Sequence, residues 1–192
     1  MMMTRPRDIV LVVDDRAETL ALLTDAIEAA GLTVLVAAEG ARALDLVERV
    51  TPDIVLMDAV MPGMDGFETC RRLKTRPHIA HVPVIFMTGL AETEHVVRGF
   101  AAGGVDYVPK PIVPDELIAR IRTHLANARL AQSARAALDA TGRHLLAVDG
   151  AARLLWSTPQ AEARLAAAFP SRCGGGGAGL PGGGQPGGSQ PG

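Results

Sequence analysis

Five residues stand at or just beyond the ends of short apolar segments, and their side chains could hold a metal ion and a phosphoryl group. They are Asp14, Asp15, Asp58, Thr88 and Lys110. Ligands of an open parallel α/β sheet bind in the crevice beyond the carboxyl ends of its strands. Three carboxylates, a hydroxyl and an amine would therefore converge on one small pocket.

The chemistry of this pocket follows from its residue types. Mg²⁺ takes oxygen ligands and keeps several waters, and Asp14, Asp15 and Asp58 supply carboxylates without a closed cage. Clustered carboxylates repel one another unless a cation is present. Asp58 is the candidate nucleophile, because a carboxylate oxygen can attack phosphorus and form an aspartyl phosphate. Lys110 would neutralise one phosphoryl oxygen, and the Thr88 hydroxyl could donate a hydrogen bond to another.

The hydrophobic pattern predicts the strands and helices that position these residues. Residues 8–126 alternate apolar segments with helical patterns five times, which predicts an α/β fold with a (βα)5 doubly wound parallel sheet. Continuous β-branched segments are typical of strands buried on both faces. The predicted strands are Ile9–Val13, Thr33–Ala37, Ile54–Met57, Val84–Met87 and Val105–Val108.

Beyond residue 126 the sequence pattern no longer alternates between strands and helices. The fifth helix should extend to about residue 139, either as a stiff connector or as a surface that pairs with a second copy. A short β-hairpin around Asp149-Gly150 and a helix over 160–169 are expected next. The Gly- and Pro-rich tail should be disordered. The expected divisions are 1–7 (extension), 8–126 (main domain), 127–141 (helical connector), 142–170 (hairpin and helix) and 171–192 (tail).

Composition excludes several functional classes. The formal net charge is −2, which does not favour a general nucleic-acid surface. Two distant cysteines do not make a disulfide framework. No apolar segment approaches the length of a membrane span, and the N-terminus does not resemble a secretory signal. We therefore expect a cytoplasmic protein that binds neither nucleic acid nor membrane through this chain.

Residues 8–126 resemble the receiver domain of two-component response regulators, a flavodoxin-like fold. Four motifs carry the resemblance: VVDD at Val12–Asp15, LMDAVMPGMDG at Leu56–Gly66, MTG around Thr88, and VPKP around Lys110. The resemblance implies phosphorylation of Asp58 by a histidine kinase or phosphotransfer protein. It implies Mg²⁺ bound by Asp15, Asp58 and the Val60 carbonyl, with Asp14 bound through water. It also implies a cis peptide before Pro111.

The resemblance extends to switching and to phosphoryl lifetime. Tyr107 matches an aromatic that follows the threonine inward when a receiver is phosphorylated. The readout surface would be the fourth helix, fifth strand and fifth helix. Val60 and Leu90 occupy two variable positions that flank the phosphoryl group. Because both are apolar here, we expect them to hinder an attacking water and to give a long-lived aspartyl phosphate.

Several interpretations of the output stay open. Residues 143–169 resemble the opening of a PAS-type sensor domain, and similar segments lie between receivers and LuxR-type output domains. The chain could therefore be a truncated transcription regulator lacking its DNA-binding domain, or a stand-alone phosphorelay intermediate. A phosphatase of the dehalogenase-like family would need D-x-D after the first strand, a spacing absent at Val13–Asp15. A signalling module that is not itself an enzyme is the favoured interpretation.

Overall fold

The described part of the chain forms thirteen elements, and the chain divides into two units at residues 133 and 134. The computed structural model describes residues 7–89, 93–148, 150 and 154–168. The elements are β1 (Ile9–Val13), α1 (Ala17–Ala29), β2 (Thr33–Ala37), α2 (Gly40–Val47), β3 (Ile54–Asp58), α3 (Gly66–Lys74), β4 (Val84–Thr88), α4 (Thr93–Ala101), β5 (Asp106–Pro109), α5 (Pro114–Ala140), β6 (Leu146–Val148), β7 (Leu154–Ser157) and α6 (Pro159–Ala168).

The first unit contains a five-stranded parallel sheet in the order β2-β1-β3-β4-β5. This confirms the predicted α/β class and the (βα)5 arrangement. The strand order reverses between β1 and β3, and in such sheets the ligand crevice lies at this reversal. Asp14 follows β1 and Asp58 is the last residue of β3, so the two carboxylates flank the crevice.

Two hydrophobic cores cover the two faces of the sheet. Successive residues of β1 alternate between them, as the two-residue period of a strand requires. Leu11 and Val13 belong to the core beneath α2 and α3, whereas Val10 and Val12 belong to the core beneath α1 and α5. All four are fully buried, which explains why this strand has no polar position.

The start of α3 is fixed beside the end of β3. Asp65 lies at the N-cap with an extended backbone, and its Oδ1 accepts a hydrogen bond from the Glu68 N–H at 2.7 Å. The Glu68 carboxylate accepts hydrogen bonds from Arg71 and Arg72 one turn along the helix. The Asp65 side chain thus satisfies one of the free N–H groups at the helix start.

Helix α5 is anchored along its first half. Leu117, Ile121 and Leu125 recur every four residues and are buried against the sheet. Leu130 is 72% exposed. The helix therefore continues past the last residue that packs on the sheet, as expected, and its pairing with a second copy stays a prediction.

The second unit contains the predicted hairpin and helix. Strands β6 and β7 pair antiparallel, and Thr158 links them to α6. The buried Thr158 hydroxyl donates to the Arg143 carbonyl at 2.8 Å and accepts from the Ala161 N–H at 3.3 Å. The predicted tail, 171–192, lies outside the described residues. Within the described residues, no helix combines the length and apolar character that crossing a bilayer requires.

Candidate functional site

Three carboxylates meet at the carboxyl edge of β1 and β3. Each of Asp14, Asp15 and Asp58 offers an oxygen, and these oxygens lie within 4.8 Å of one another. Asp14 is fully buried and Asp58 is buried, whereas Asp15 is exposed. Such an arrangement is unfavourable without a compensating cation, because neighbouring carboxylates disfavour one another's ionised forms.

Lys110 supplies a positive charge between the two buried carboxylates. Its Nζ donates to Asp14 Oδ2 at 2.8 Å and to Asp58 Oδ2 at 2.6 Å. The ammonium reaches them from the end of β5, two strands away from β3. The backbone N–H of Lys110 donates to the Thr88 carbonyl at 2.7 Å, which holds the segment after β5 against the end of β4. The Lys110–Pro111 peptide bond is cis.

Asp58 is held in one orientation by two donors. Lys110 binds Oδ2, and the backbone N–H of Val60 donates to Oδ1 at 3.2 Å. Burial raises the pKa of Asp58 above its ordinary value; the hydrogen bonds from Lys110 and Val60 oppose this rise, and the charge of Asp14 adds to it. A cation placed among the carboxylates would favour the ionised form, so the donor set fits a hard metal ion.

Thr88 and Tyr107 lie on neighbouring strands beside this cluster. Thr88 is the buried last residue of β4, and Tyr107 is the second residue of β5 with 39% of its surface exposed. Both line a narrow apolar cleft whose other walls include Phe86 and Phe100. Thr88 and Tyr107 therefore line one cleft, and the predicted movement of the ring toward the threonine stays a prediction.

Two positions, Val60 and Leu90, are assigned to phosphoryl lifetime. The Val60 side chain is 57% exposed at the mouth of the site, two residues after Asp58. Leu90 lies outside the described residues. Their effect on an attacking water stays a prediction.

Two features of the site were missed by sequence reasoning. Arg16 lies against Asp14 through its backbone and its guanidinium. Gly66 packs so closely on β3 that a Cβ there would lie 1.9 Å from the Asp58 carbonyl oxygen. The available signals were a cation directly after the acidic pair and a glycine at the end of the motif that begins at Leu56.

A polar network connects β5 to α5. Asp106 accepts hydrogen bonds from Arg120 at 3.0 Å and from the Tyr107 N–H at 2.8 Å, and His124 Nε2 lies 3.0 Å from its Oδ2. Burial alone would raise the pKa of Asp106, but the hydrogen bonds from His124, Tyr107 and Arg120 outweigh it and lower the pKa below the ordinary value of an aspartate.

We expect Asp106→Asn to lose stability in a pH-dependent way. A carboxylate whose pKa is lower in the folded state stabilises the fold above its unfolded pKa, and this contribution disappears as pH falls through the folded pKa. The free energy of unfolding should thus differ from wild type by about 1 kcal/mol at pH 7. The difference should shrink as pH falls below the ordinary pKa of an aspartate and through the lower pKa of folded Asp106. Urea titrations between pH 7 and pH 3 test this, with the exposed Asp45→Asn as control. A difference that stays constant with pH would contradict the assigned role of Asp106.

The sequence model of the response regulator receiver domain family matches residues 10–122 of the chain. The chain belongs to this family. Response regulator PleD from Caulobacter vibrioides is 38% identical over 146 residues, which are 76% of this chain and 32% of that protein. The DNA-binding response regulator MtrA of Mycobacterium tuberculosis is 39% identical over 119 residues, 62% of this chain and 51% of that protein.

A further relative is named as a probable cyclic di-GMP phosphodiesterase from Vibrio cholerae, 39% identical over 120 residues, 62% of this chain and 27% of that protein. The chain therefore spans about half or less of these relatives. The structure of a CheY-like receiver domain protein from Methanospirillum hungatei has a TM-score of 0.61 and 28% identity, covering 66% of this chain and 99% of that one. The matched region ends at residue 122, so the PAS-like character of residues 142–170 stays a prediction.

Proposed function

We propose that this receiver domain accepts a phosphoryl group on Asp58 from a phosphohistidine of a histidine kinase or phosphotransfer protein. Phosphorylation and its dependence on Mg²⁺ are general to the family. The observation that carries the assignment to Asp58 is its contact with Lys110, 2.6 Å away, inside a cluster of three carboxylates at the strand-order reversal.

The proposed step is an in-line substitution at phosphorus. A carboxylate oxygen of Asp58 forms the new O–P bond while the P–N bond to the donor imidazole breaks, and the leaving imidazole retains the electron pair of that bond. Lys110 keeps a positive charge beside the transferring oxygens, and the Thr88 hydroxyl donates to one of them. The Val60 N–H, which already donates to Asp58 Oδ1, holds the carboxylate in place.

The acidic cluster would hold the metal ion. Asp15, Asp58 and the Val60 carbonyl are the proposed direct ligands, and Asp14 would bind through a water. Bound Mg²⁺ would neutralise negative charge on the phosphoryl oxygens. The exposed position of Asp15 leaves room for the waters that Mg²⁺ retains.

The test is phosphorylation by acetyl phosphate with and without Mg²⁺. Intact mass should increase by roughly 80 Da, the mass of one phosphoryl group, with Mg²⁺ present. Chelation of the metal with EDTA should prevent this increase, because the carboxylate cluster then repels the donor. An adduct that forms equally well in EDTA would contradict the proposed site.

We further propose that phosphorylation changes the surface formed by α4, β5 and α5. Thr88 would move toward the phosphoryl group and Tyr107 would turn into the cleft beside it, so that a local charge change alters an exposed face. Light scattering on the same samples separates two outputs. A doubled mass would indicate a homodimer, whereas an unchanged mass with a full adduct would indicate a separate partner, as a relay intermediate requires.

The phosphorylated form should be long-lived for a receiver. The exposed Val60 side chain and Leu90 would limit the access of water to the phosphorus. We expect Val60→Glu to shorten the lifetime by roughly tenfold, because a carboxylate there could position a water for attack. Loss of the adduct after rapid removal of acetyl phosphate measures this. A wild-type lifetime of only seconds would contradict the expectation.

A further inference from the structure

Arg16 contacts the acidic cluster from its solvent side. Its backbone N–H donates to Asp14 Oδ1 at 2.9 Å, and its guanidinium Nε lies 3.8 Å from the same oxygen. Asp14 is fully buried, whereas 60% of the Arg16 side chain is exposed. The guanidinium thus occupies the boundary between the buried carboxylate and solvent.

Arg16 and Lys110 line the same open groove. Its other walls come from α1 and from the segment after β5, and they include Glu18, Leu22 and Ile112. Lys110 is the inner cation, with a side chain only 14% exposed, and Arg16 is the outer one. Of the two cations, the guanidinium is therefore the more accessible to a group that enters the groove from solvent.

The charges around the groove and the acidic cluster affect the approach of a phosphoryl donor. The three carboxylates outnumber Lys110, and a phosphoryl donor such as acetyl phosphate brings two further negative charges. Glu18, in the same groove, adds to the repulsion. The exposed guanidinium in the groove offsets part of it and can bind phosphoryl oxygens through several N–H groups. The same positive charge lies beside Asp14 and opposes the approach of a metal ion.

We propose that Arg16 is a second phosphoryl-recruiting cation, which lowers the donor concentration needed for phosphorylation and weakens metal binding at the acidic cluster. This role rests on the proposed phosphorylation of Asp58. It predicts opposite effects of one substitution on two ligands. A purely structural role predicts no such opposition, since the backbone N–H of residue 16 continues to orient Asp14 in any variant.

The experiment compares wild type with Arg16→Gln, Arg16→Lys and Arg49→Gln. Arg49 is exposed after α2, near the opposite edge of the sheet, and gives the same charge change away from the site. The half-saturating concentration of acetyl phosphate at saturating Mg²⁺ should rise roughly three- to tenfold in Arg16→Gln. Arg16→Lys should have a half-saturating concentration close to that of wild type, because the positive charge is kept. Arg49→Gln should match wild type.

Metal affinity is measured separately, without a phosphoryl donor, from the electron paramagnetic resonance signal of free Mn²⁺. Arg16→Gln should bind Mn²⁺ at least about twofold more tightly than wild type, because a positive charge that repels the metal ion has been removed. Raising the salt concentration to about 1 M should reduce both differences, since the charge of Arg16 acts through solvent.

The outcomes separate the two proposals. A wild type that gains no phosphoryl group would overturn the function of Asp58. Normal wild-type phosphorylation with an unchanged half-saturating concentration in Arg16→Gln would overturn the role of Arg16 alone. Two other results for Arg16→Gln would also overturn the role of Arg16. They are a lower maximal rate at an unchanged half-saturating concentration, and weaker Mn²⁺ binding. Either result would indicate that the substitution damages the site instead of weakening donor binding.

Discussion

Asp58→Asn should abolish the phosphoryl adduct. An amide oxygen does not attack phosphorus as a carboxylate does, and the buried Asp14 carboxylate is already occupied by other donors. Asp14 is fully buried and bound by Lys110 and the Arg16 N–H. Intact mass after acetyl phosphate and Mg²⁺ should show an increase of roughly 80 Da in wild type and none in the variant.

The same variant should respond less to metal. A ligand that binds only the folded state stabilises it by about 2.7 kcal/mol at a concentration 100 times its Kd. Mg²⁺ should therefore raise the Tm of wild type, and Asp58→Asn should lose most of that rise along with one metal ligand. Asp45→Asn, an exposed change on α2, should keep both the adduct and the rise. Full phosphorylation of Asp58→Asn would refute the assignment of the acceptor.

Gly66→Ala should cost about 3 kcal/mol in the free energy of unfolding and should slow phosphorylation of Asp58. The added Cβ would lie 1.9 Å from the Asp58 carbonyl oxygen and 2.9 Å from its carbon, both backbone atoms of the strand end. Neither atom can yield as the tip of a flexible side chain could, so α3 or the end of β3 must shift. A shift of the end of β3 would displace the Asp58 carboxylate relative to Lys110.

Gly63→Ala is the matched control. Gly63 has a φ of +75° and nothing within 4 Å of an added Cβ, so alanine there should cost only about 1 kcal/mol of backbone strain. Urea unfolding followed by far-UV circular dichroism measures both variants. Equal stability of Gly66→Ala and Gly63→Ala would show that the close contact between α3 and β3 relaxes at little cost.

Local sequence patterns identify most of the fold. The predicted strands Ile9–Val13 and Thr33–Ala37 match the structure at both ends. A buried parallel strand needs a continuous apolar segment, and such a segment can be recognised without knowing its neighbours. The fifth strand begins at Asp106, one residue later than predicted. Asp106 is a polar strand residue that faces Arg120 and His124, a partnership no local pattern reveals.

The sequence by itself determined which side chains are available for chemistry: the acidic pair, Asp58, Thr88 and Lys110, each placed at a strand end by periodicity. Only the tertiary structure decided how they are coupled. Lys110 lies 96 residues from Asp14 and 52 from Asp58 along the chain, and one ammonium binds both carboxylates. The tertiary structure also decided that Arg16 and Lys110 line one groove. Contacts between distant parts of the chain depend on the strand order and on close packing between elements, which residue types alone do not specify.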